Sequence, residues 1–183
     1  MSQKDVVVFV GSLRKAAFSR RVANALIGLA PPSLRLEILE IGDLPLYNQD
    51  LETETPPPAW QALRDRVRVA NGLLFVTPEY NRSTSGVLKN AIDVGSRPPG
   101  KGVWSGKPTA VVSSSTGPIG GFSANLHVRQ SLYAVGVPVM PKEIYLSGVE
   151  KLFHSETELV PASAEFLGKF MHGFAEWVER NSH

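Results

Sequence analysis

The chain has 183 residues, 43% of them hydrophobic and 20% charged, with a formal net charge of +2. That is the composition of a soluble globular protein with room for one domain, here read as residues 1–183; it disfavours fibrous and disordered classes and gives only weak support to a general polyanion-binding surface. The lack of cysteine excludes disulfides, thiolate zinc sites, cysteine-ligated iron–sulfur clusters and a thiol nucleophile.

The opening MSQKDVVVFV passes straight into a strand-like run without the h-region of a signal peptide, and no stretch approaches the roughly 20 apolar residues of a membrane span. A cytoplasmic location is therefore expected, with neither membrane nor nucleic acid as partner. Val6 to Val10 is a β-branched run that ends at Gly11-Ser12; Val22, Leu26, Leu29 and Ala30 then recur at helical spacing until Pro31-Pro32. Leu34 to Ile41 predicts a second strand, and after the loop GDLPLYNQDLETETPPPA the residues Trp60, Leu63, Val67 and Ala70 mark a second helix. Leu73 to Val76 predicts a third strand, and Val87, Leu88, Ala91 and Ile92 a helix stopping near Gly95. Pro108 to Val112 follows as a fourth strand, Phe122 to Val135 as a helix and Val137 to Met140 as a short fifth strand. The stripe Phe166, Leu167, Phe170, Phe174, Trp177 and Val178 predicts a last helix with its aromatics facing the core.

Strands alternating with helices imply a parallel sheet, because right-handed crossovers return the chain to the same starting edge. The count suits a three-layer α/β flavodoxin-like fold: a five-stranded parallel sheet in the order 2-1-3-4-5, with helices on both faces. In that order the loops after strands 1, 3 and 4 share one rim, and these loops carry the informative residues.

The first, GSLRKAAFSRR, lets the chain leave strand 1 at Gly11 and offers Ser12, Arg14 and a helix N-terminus to an anion. Ser12 as a helix cap and Arg14 as a surface charge remain the plain alternatives. The crowding of Arg14, Lys15, Arg20 and Arg21 reads first as a solvated helix start, with a cluster facing a phosphate or a nucleic-acid backbone as the sharper alternative. The second loop, TPEYNRSTSG, combines Pro78 with Glu79, Tyr80, Asn81 and Ser83, a set of donors, acceptors and one flat face that suits a planar heteroaromatic ring. Taken singly, Tyr80 reads as packing and Asn81 as a turn former. In the third loop, SSSTGPIGGF, small residues let backbone N–H groups approach a ligand. A phosphate pocket beside a ring slot points to FMN.

The stretches GSLRKAAFSRRVANAL, IGDLPLYNQDLE, LFVTPEYNRSTSGVLKNAIDVGSRP, GKPTAVVSSSTGPIGGFSANLHVRQSL and FAEW resemble the NADPH-dependent FMN reductase family, in its bacterial quinone and chromate reductase branch. The resemblance covers most of the chain, and P-E-Y-N leading into G-x-L-K-N-A-I-D is its most specific part. It implies that Ser12, Arg14 and Ser19 hold the flavin phosphate, that Pro78, Glu79, Tyr80, Asn81 and Ser83 run along the ring, and that Ser115, Thr116 and Gly117 flank its pyrimidine side. It implies FMN and NADPH (or NADH) as cofactors, a small-molecule electron acceptor, and a homodimer or homotetramer. The implied activity passes hydride from NADPH to FMN and then electrons to quinones, or to free flavin, chromate, azo or nitro compounds, by a ping-pong mechanism. The loop departs from the family's G-S-x-R-x-x-S-x-N at Ala17 and Ser19, and Ser85 stands where proline is frequent. Weaker FMN binding is expected, with Ala17 outside the site.

A flavodoxin-type electron carrier is the alternative reading; the slightly basic charge disfavours it. A phosphoacceptor receiver lacks acids at Val8 to Gly11, and a dinucleotide fold using Glu40 lacks the glycine fingerprint. His127, His154, His172 and His183 show no metal-ligand spacing, so no metal is expected; His127 reads as a helix-surface or interface residue, and His183 as part of a mobile terminus. The stretch IDVGSRPPGKGVW predicts an oligomer contact exposing Val103 and Trp104 beside Arg97, with local packing of Trp104 as the alternative.

Overall fold

The computed structural model describes residues 3–182; His183 lies outside the described residues. Strand β1 (Lys4–Val10) leads into α1 (Phe18–Gly28), β2 (Leu34–Ile38), α2 (Pro58–Val69), β3 (Gly72–Pro78), α3 (Gly86–Gly95), β4 (Thr109–Ser114), α4 (Phe122–Ala134), β5 (Ile144–Leu146) and α5 (Pro161–Asn181). The five strands pair in the order β2-β1-β3-β4-β5, and every pairing is parallel.

Alternation along β1 divides the core. Val6, Val8 and Val10 face a cluster completed by Val22 and Leu26 of α1 and by Phe170 and Phe174 of α5. Val7 and Phe9 face the opposite cluster, with Trp60 of α2, Leu88 of α3 and Val128 and Leu132 of α4. Both faces are thus covered, as a sheet of near-continuous apolar strands requires. Within the predicted aromatic stripe of α5, Phe170 and Phe174 are fully buried, Trp177 is half-buried and donates its indole N–H to the Pro138 carbonyl at 3.2 Å, and Phe166 stays exposed.

Two sequence expectations are corrected. Val137 to Met140 makes only an isolated bridge, Val139 to Thr109; the fifth strand forms at Ile144–Leu146. The reason lies in two buried polar side chains of α4. Arg129 donates to the carbonyls of Met140 at 2.9 Å and Lys142 at 3.0 Å, while Asn125 donates to the Ile144 carbonyl at 3.2 Å and accepts from Arg129 Nε at 2.8 Å. Those carbonyls point at the helix, so the chain runs on irregularly before it joins β4.

The second correction concerns Trp104, which is not a surface residue. It is buried against Phe9 at 5.5 Å, donates to the Ile92 carbonyl at 2.8 Å, and lies so close to Gly95 that a Cβ there would fall 2.4 Å from its ring. Val103 is buried with it, and only Arg97 of that trio is exposed.

The loop between β2 and α2 is pinned from below. Asn90 of α3 accepts from the Tyr47 amide at 2.8 Å and donates to the Leu44 and Pro45 carbonyls, and Trp60 donates to Pro45 at 2.9 Å. Arg64 grips Glu52 with both terminal nitrogens, at 2.8 and 2.7 Å, and donates Nε to the Val94 carbonyl. A bidentate guanidinium–carboxylate pair fixes geometry as well as charge.

Candidate active site

The three carboxyl-edge loops meet in one cleft of about 180 Å³. Gly11 N–H donates to the Val76 carbonyl at 2.9 Å, which keeps the first loop against β3. A Cβ at Gly11 would lie 2.6 Å from Pro78 Cδ and 2.7 Å from Leu88 Cδ1, so the contact between the first two loops requires glycine.

Ser12 is buried but does not cap α1, whose first turn begins six residues later. Its hydroxyl accepts from the Arg14 amide at 3.4 Å and from the Tyr80 hydroxyl at 3.3 Å, so it ties the first loop to the second. The N-terminus of α1 follows Ala17, with no side-chain cap and no acid in its first turn. Ser19 is 2% exposed and its Oγ finds no partner among the described residues, an uncommon state for a buried hydroxyl.

The four basic residues crowded here separate in space. Arg20 binds both oxygens of Glu40, at 2.7 and 2.8 Å, and Arg21 donates to the carbonyls of Ser155 and Glu156 while lying over the Phe153 ring at 4.3 Å. The bond from Arg20 holds the Glu40 carboxyl below its ordinary range, with burial opposing and the Arg20 charge assisting. Arg14, by contrast, makes no ion pair among the described residues and lines the cleft, as do Ala17 and Ser19. A guanidinium without an ion pair among the described residues, an uncapped helix N-terminus and a buried hydroxyl together have the chemistry that suits a phosphate-like anion.

The second loop supplies Pro78, Glu79 and Tyr80 to the cleft. Glu79 turns its carboxylate to α4, where Oε2 accepts from the amides of Ser123 at 3.0 Å and Ala124 at 3.3 Å; it caps that helix while its stem lines the cleft. Beyond it the chain reverses in a two-residue turn: Tyr80 and Ser83 exchange both backbone bonds at 3.0 Å, and Asn81 (φ 51°) and Arg82 (φ 63°) both adopt left-handed backbone. Asn81 is exposed on that turn and Ser83 bonds His127, so neither lines the cleft.

Ser114, Ser115 and Thr116 form the third wall; Gly117 stands just outside, its carbonyl accepting from Gly148 N–H at 3.2 Å and from Ser115 Oγ at 3.2 Å. The amides of Thr116 and Gly117 donate to no backbone carbonyl among the described residues. Behind this loop, burial and then the Glu143 carboxylate push the Tyr145 phenol up to about 12, so it stays protonated at neutral pH.

The sequence therefore placed eight of its site residues on the cleft: Ser12, Arg14, Ser19, Pro78, Glu79, Tyr80, Ser115 and Thr116. It left out Ala17, Phe18, Ser114 and Val149, which also line it. Ala17 has no hydroxyl to offer, yet it contributes the end of α1 to the lining rather than a side-chain donor. Val149 arrives from beyond β5, held by its amide on the Ser115 carbonyl at 3.0 Å, and nothing local in the sequence marks that contact. Among the described residues no group of three or more His, Cys, Asp or Glu is gathered to hold a metal, and no helix is long and apolar enough to cross a membrane.

An open parallel sheet in the order β2-β1-β3-β4-β5, with a cleft between the loops at its switch point, defines a flavodoxin-like fold. The profile of the NADPH-dependent FMN reductase family matches residues 5–151. A quinone reductase from Pseudomonas putida is 57% identical over 178 residues, 97% of this chain and 96% of its own. A 2-hydroxy-1,4-benzoquinone reductase from Burkholderia is 41% identical over 175 residues, 94% and 95% of the two chains. The solved structure of FerB, a flavoenzyme NAD(P)H:(acceptor) oxidoreductase from Paracoccus denitrificans, superposes with a TM-score of 0.92 at 37% identity, covering 98% of this chain and 100% of that one. The chain belongs to the NADPH-dependent FMN reductase family. It is an NAD(P)H-dependent flavoenzyme whose flavin is FMN.

Proposed function

We propose that this enzyme reduces quinones, taking electrons from NAD(P)H, with FMN held in the cleft between the three loops of a single domain. When bound, FMN would supply the redox chemistry, relaying two electrons from NAD(P)H to the acceptor in a ping-pong cycle. The chain's own residues bind, orient and polarise. Arg14, Ser12, Ser19 and the N-terminus of α1 would hold the phosphate. Pro78 and Tyr80 would wall the ring. The free amides of Thr116 and Gly117 would donate to the pyrimidine edge, where fixed dipoles favour the negative charge of the reduced ring.

The observation that carries this reading is the buried Ser19 hydroxyl without a partner, beside an uncapped helix and an unpaired Arg14. Titrating FMN into the stripped protein tests it: a saturable 1:1 uptake with a perturbed visible spectrum is expected, and an indifferent protein overturns it. Initial rates with NADPH and a benzoquinone should give parallel double-reciprocal lines; no NADPH oxidation would return the flavodoxin-type carrier. A cytoplasmic location and a homodimer or homotetramer belong to the same proposal. In place of the buried Trp104, the exposed Phe122, Leu126 and Tyr133 of α4 support an assembly surface, which light scattering would check.

A further inference from the structure

The turn that carries Tyr80 into the cleft is an expensive piece of backbone. Both of its central residues have positive φ, and while asparagine tolerates that region, an arginine at φ 63° does not favour it. Such a conformation persists where surrounding contacts over-determine it. Two contacts do so, both on α4. One leg of the turn is fixed by Glu79, whose Oε2 accepts from the amides of Ser123 and Ala124 at 3.0 and 3.3 Å. The other is fixed by Ser83, whose Oγ lies 2.9 Å from Nδ1 of His127. Ser123 and His127 are one helical turn apart, about 6 Å along the axis, and so occupy the same face of α4.

We propose that His127 is a positioning residue for the active site, acting through Ser83. It lies outside the cleft, yet with Glu79 it makes α4 a two-point mount for the turn. The turn in turn fixes where Tyr80 stands opposite Ser12, its hydroxyl donating to Ser12 Oγ at 3.3 Å. Because Tyr80 is 46% exposed at the mouth of the cleft, its placement sets the gap that a nicotinamide or quinone ring must enter. The bond does not depend on one tautomer: neutral Nδ1 accepts from the serine hydroxyl, and protonated Nδ1 donates to it.

The inference rests on the proposed flavin site for its catalytic consequence, but the mounting itself is testable without flavin. In amide exchange on the apoprotein and the FMN-loaded protein, His127→Ala and Ser83→Ala should each speed exchange at Tyr80 and Ser83 by about tenfold, while α4 and the strands keep their protection. In the loaded enzyme KM for a benzoquinone should rise by roughly fivefold with kcat changed less than about twofold. His127→Asn, which keeps a polar atom at the Nδ1 position, should restore both. The double variant should be no worse than either single one. Unchanged exchange at residues 80–83 in His127→Ala, or a loss of protection spread along α4, overturns the proposal. Failure of the wild-type protein to bind FMN would overturn the flavin reading and leave the apoprotein exchange result to decide the role of His127.

Discussion

Ser19 carries a buried hydroxyl with no partner, and an unpaired buried polar atom costs about 1–3 kcal/mol. If that cost is offset by a bound phosphate, removing the hydroxyl should act in opposite directions on folding and binding. Ser19→Ala is expected to raise the melting temperature of the apoprotein while weakening FMN by about tenfold, the equivalent of one charge-assisted hydrogen bond. Calorimetry and fluorescence titration on the same preparations check both signs, and a fall in both quantities would make Ser19 merely structural. Ser19 enters the sequence reading only through the family resemblance, at the position where the family's phosphate loop has asparagine. The second loop shows a different case. Its residues were read as one wall along a ring, yet Glu79 and Ser83 turn to α4, whose contacting groups lie 44 residues further along the chain. No local spacing reveals a partner that only the folded crossover brings near.

At the scale of elements, the sequence located strands by apolar runs, and this succeeded wherever the run was also the paired segment. Val137 to Met140 shows why it fails: these residues are buried, but by packing under α4 and α5 rather than by the ladder. Burial and strand pairing are different demands, and Arg129 decides between them by claiming the carbonyls of Met140 and Lys142. Arg129→Met should therefore leave two carbonyls without their donor and destabilise the fold by about 2–4 kcal/mol, read from a lower urea midpoint with unchanged slope. A second inter-element tie has a pH signature. Because Arg20 lowers the folded-state pKa of Glu40, its contribution is complete above the ordinary carboxylate range and is lost as pH falls through the lowered value. The stability difference between wild type and Glu40→Gln should shrink between neutral pH and about pH 3. Since Glu40 is mostly exposed, that difference should also fall with added salt.

For the whole molecule, strand order was the decisive inference, because a parallel sheet sends every strand end to one rim and the order names the neighbours there. From that alone, loops near residues 12, 80 and 116 had to converge, and they do. The full lining of the cleft is not legible, since Val149 joins it from beyond β5 and the third loop folds back at two glycines of positive φ, Gly120 against Tyr145 and Gly121 against Ser113 and Ser114. A ligand bound only by the folded state stabilises it by mass action: FMN at about 100 times its Kd should add roughly 2.7 kcal/mol, a rise of several degrees in Tm. Absence of that rise in a protein that still takes up colour would mean that the unfolded chain holds the flavin equally well.

At the opposite end of the strands, Asp5 is gripped by Arg35 at 3.1 Å and Arg66 at 2.7 Å, with Glu37 on the far side of Arg66. That ionic knot lies at the rim opposite the cleft and shares no residue with its lining. An immobilised preparation tethered from there should leave the proposed flavin cleft facing the liquid.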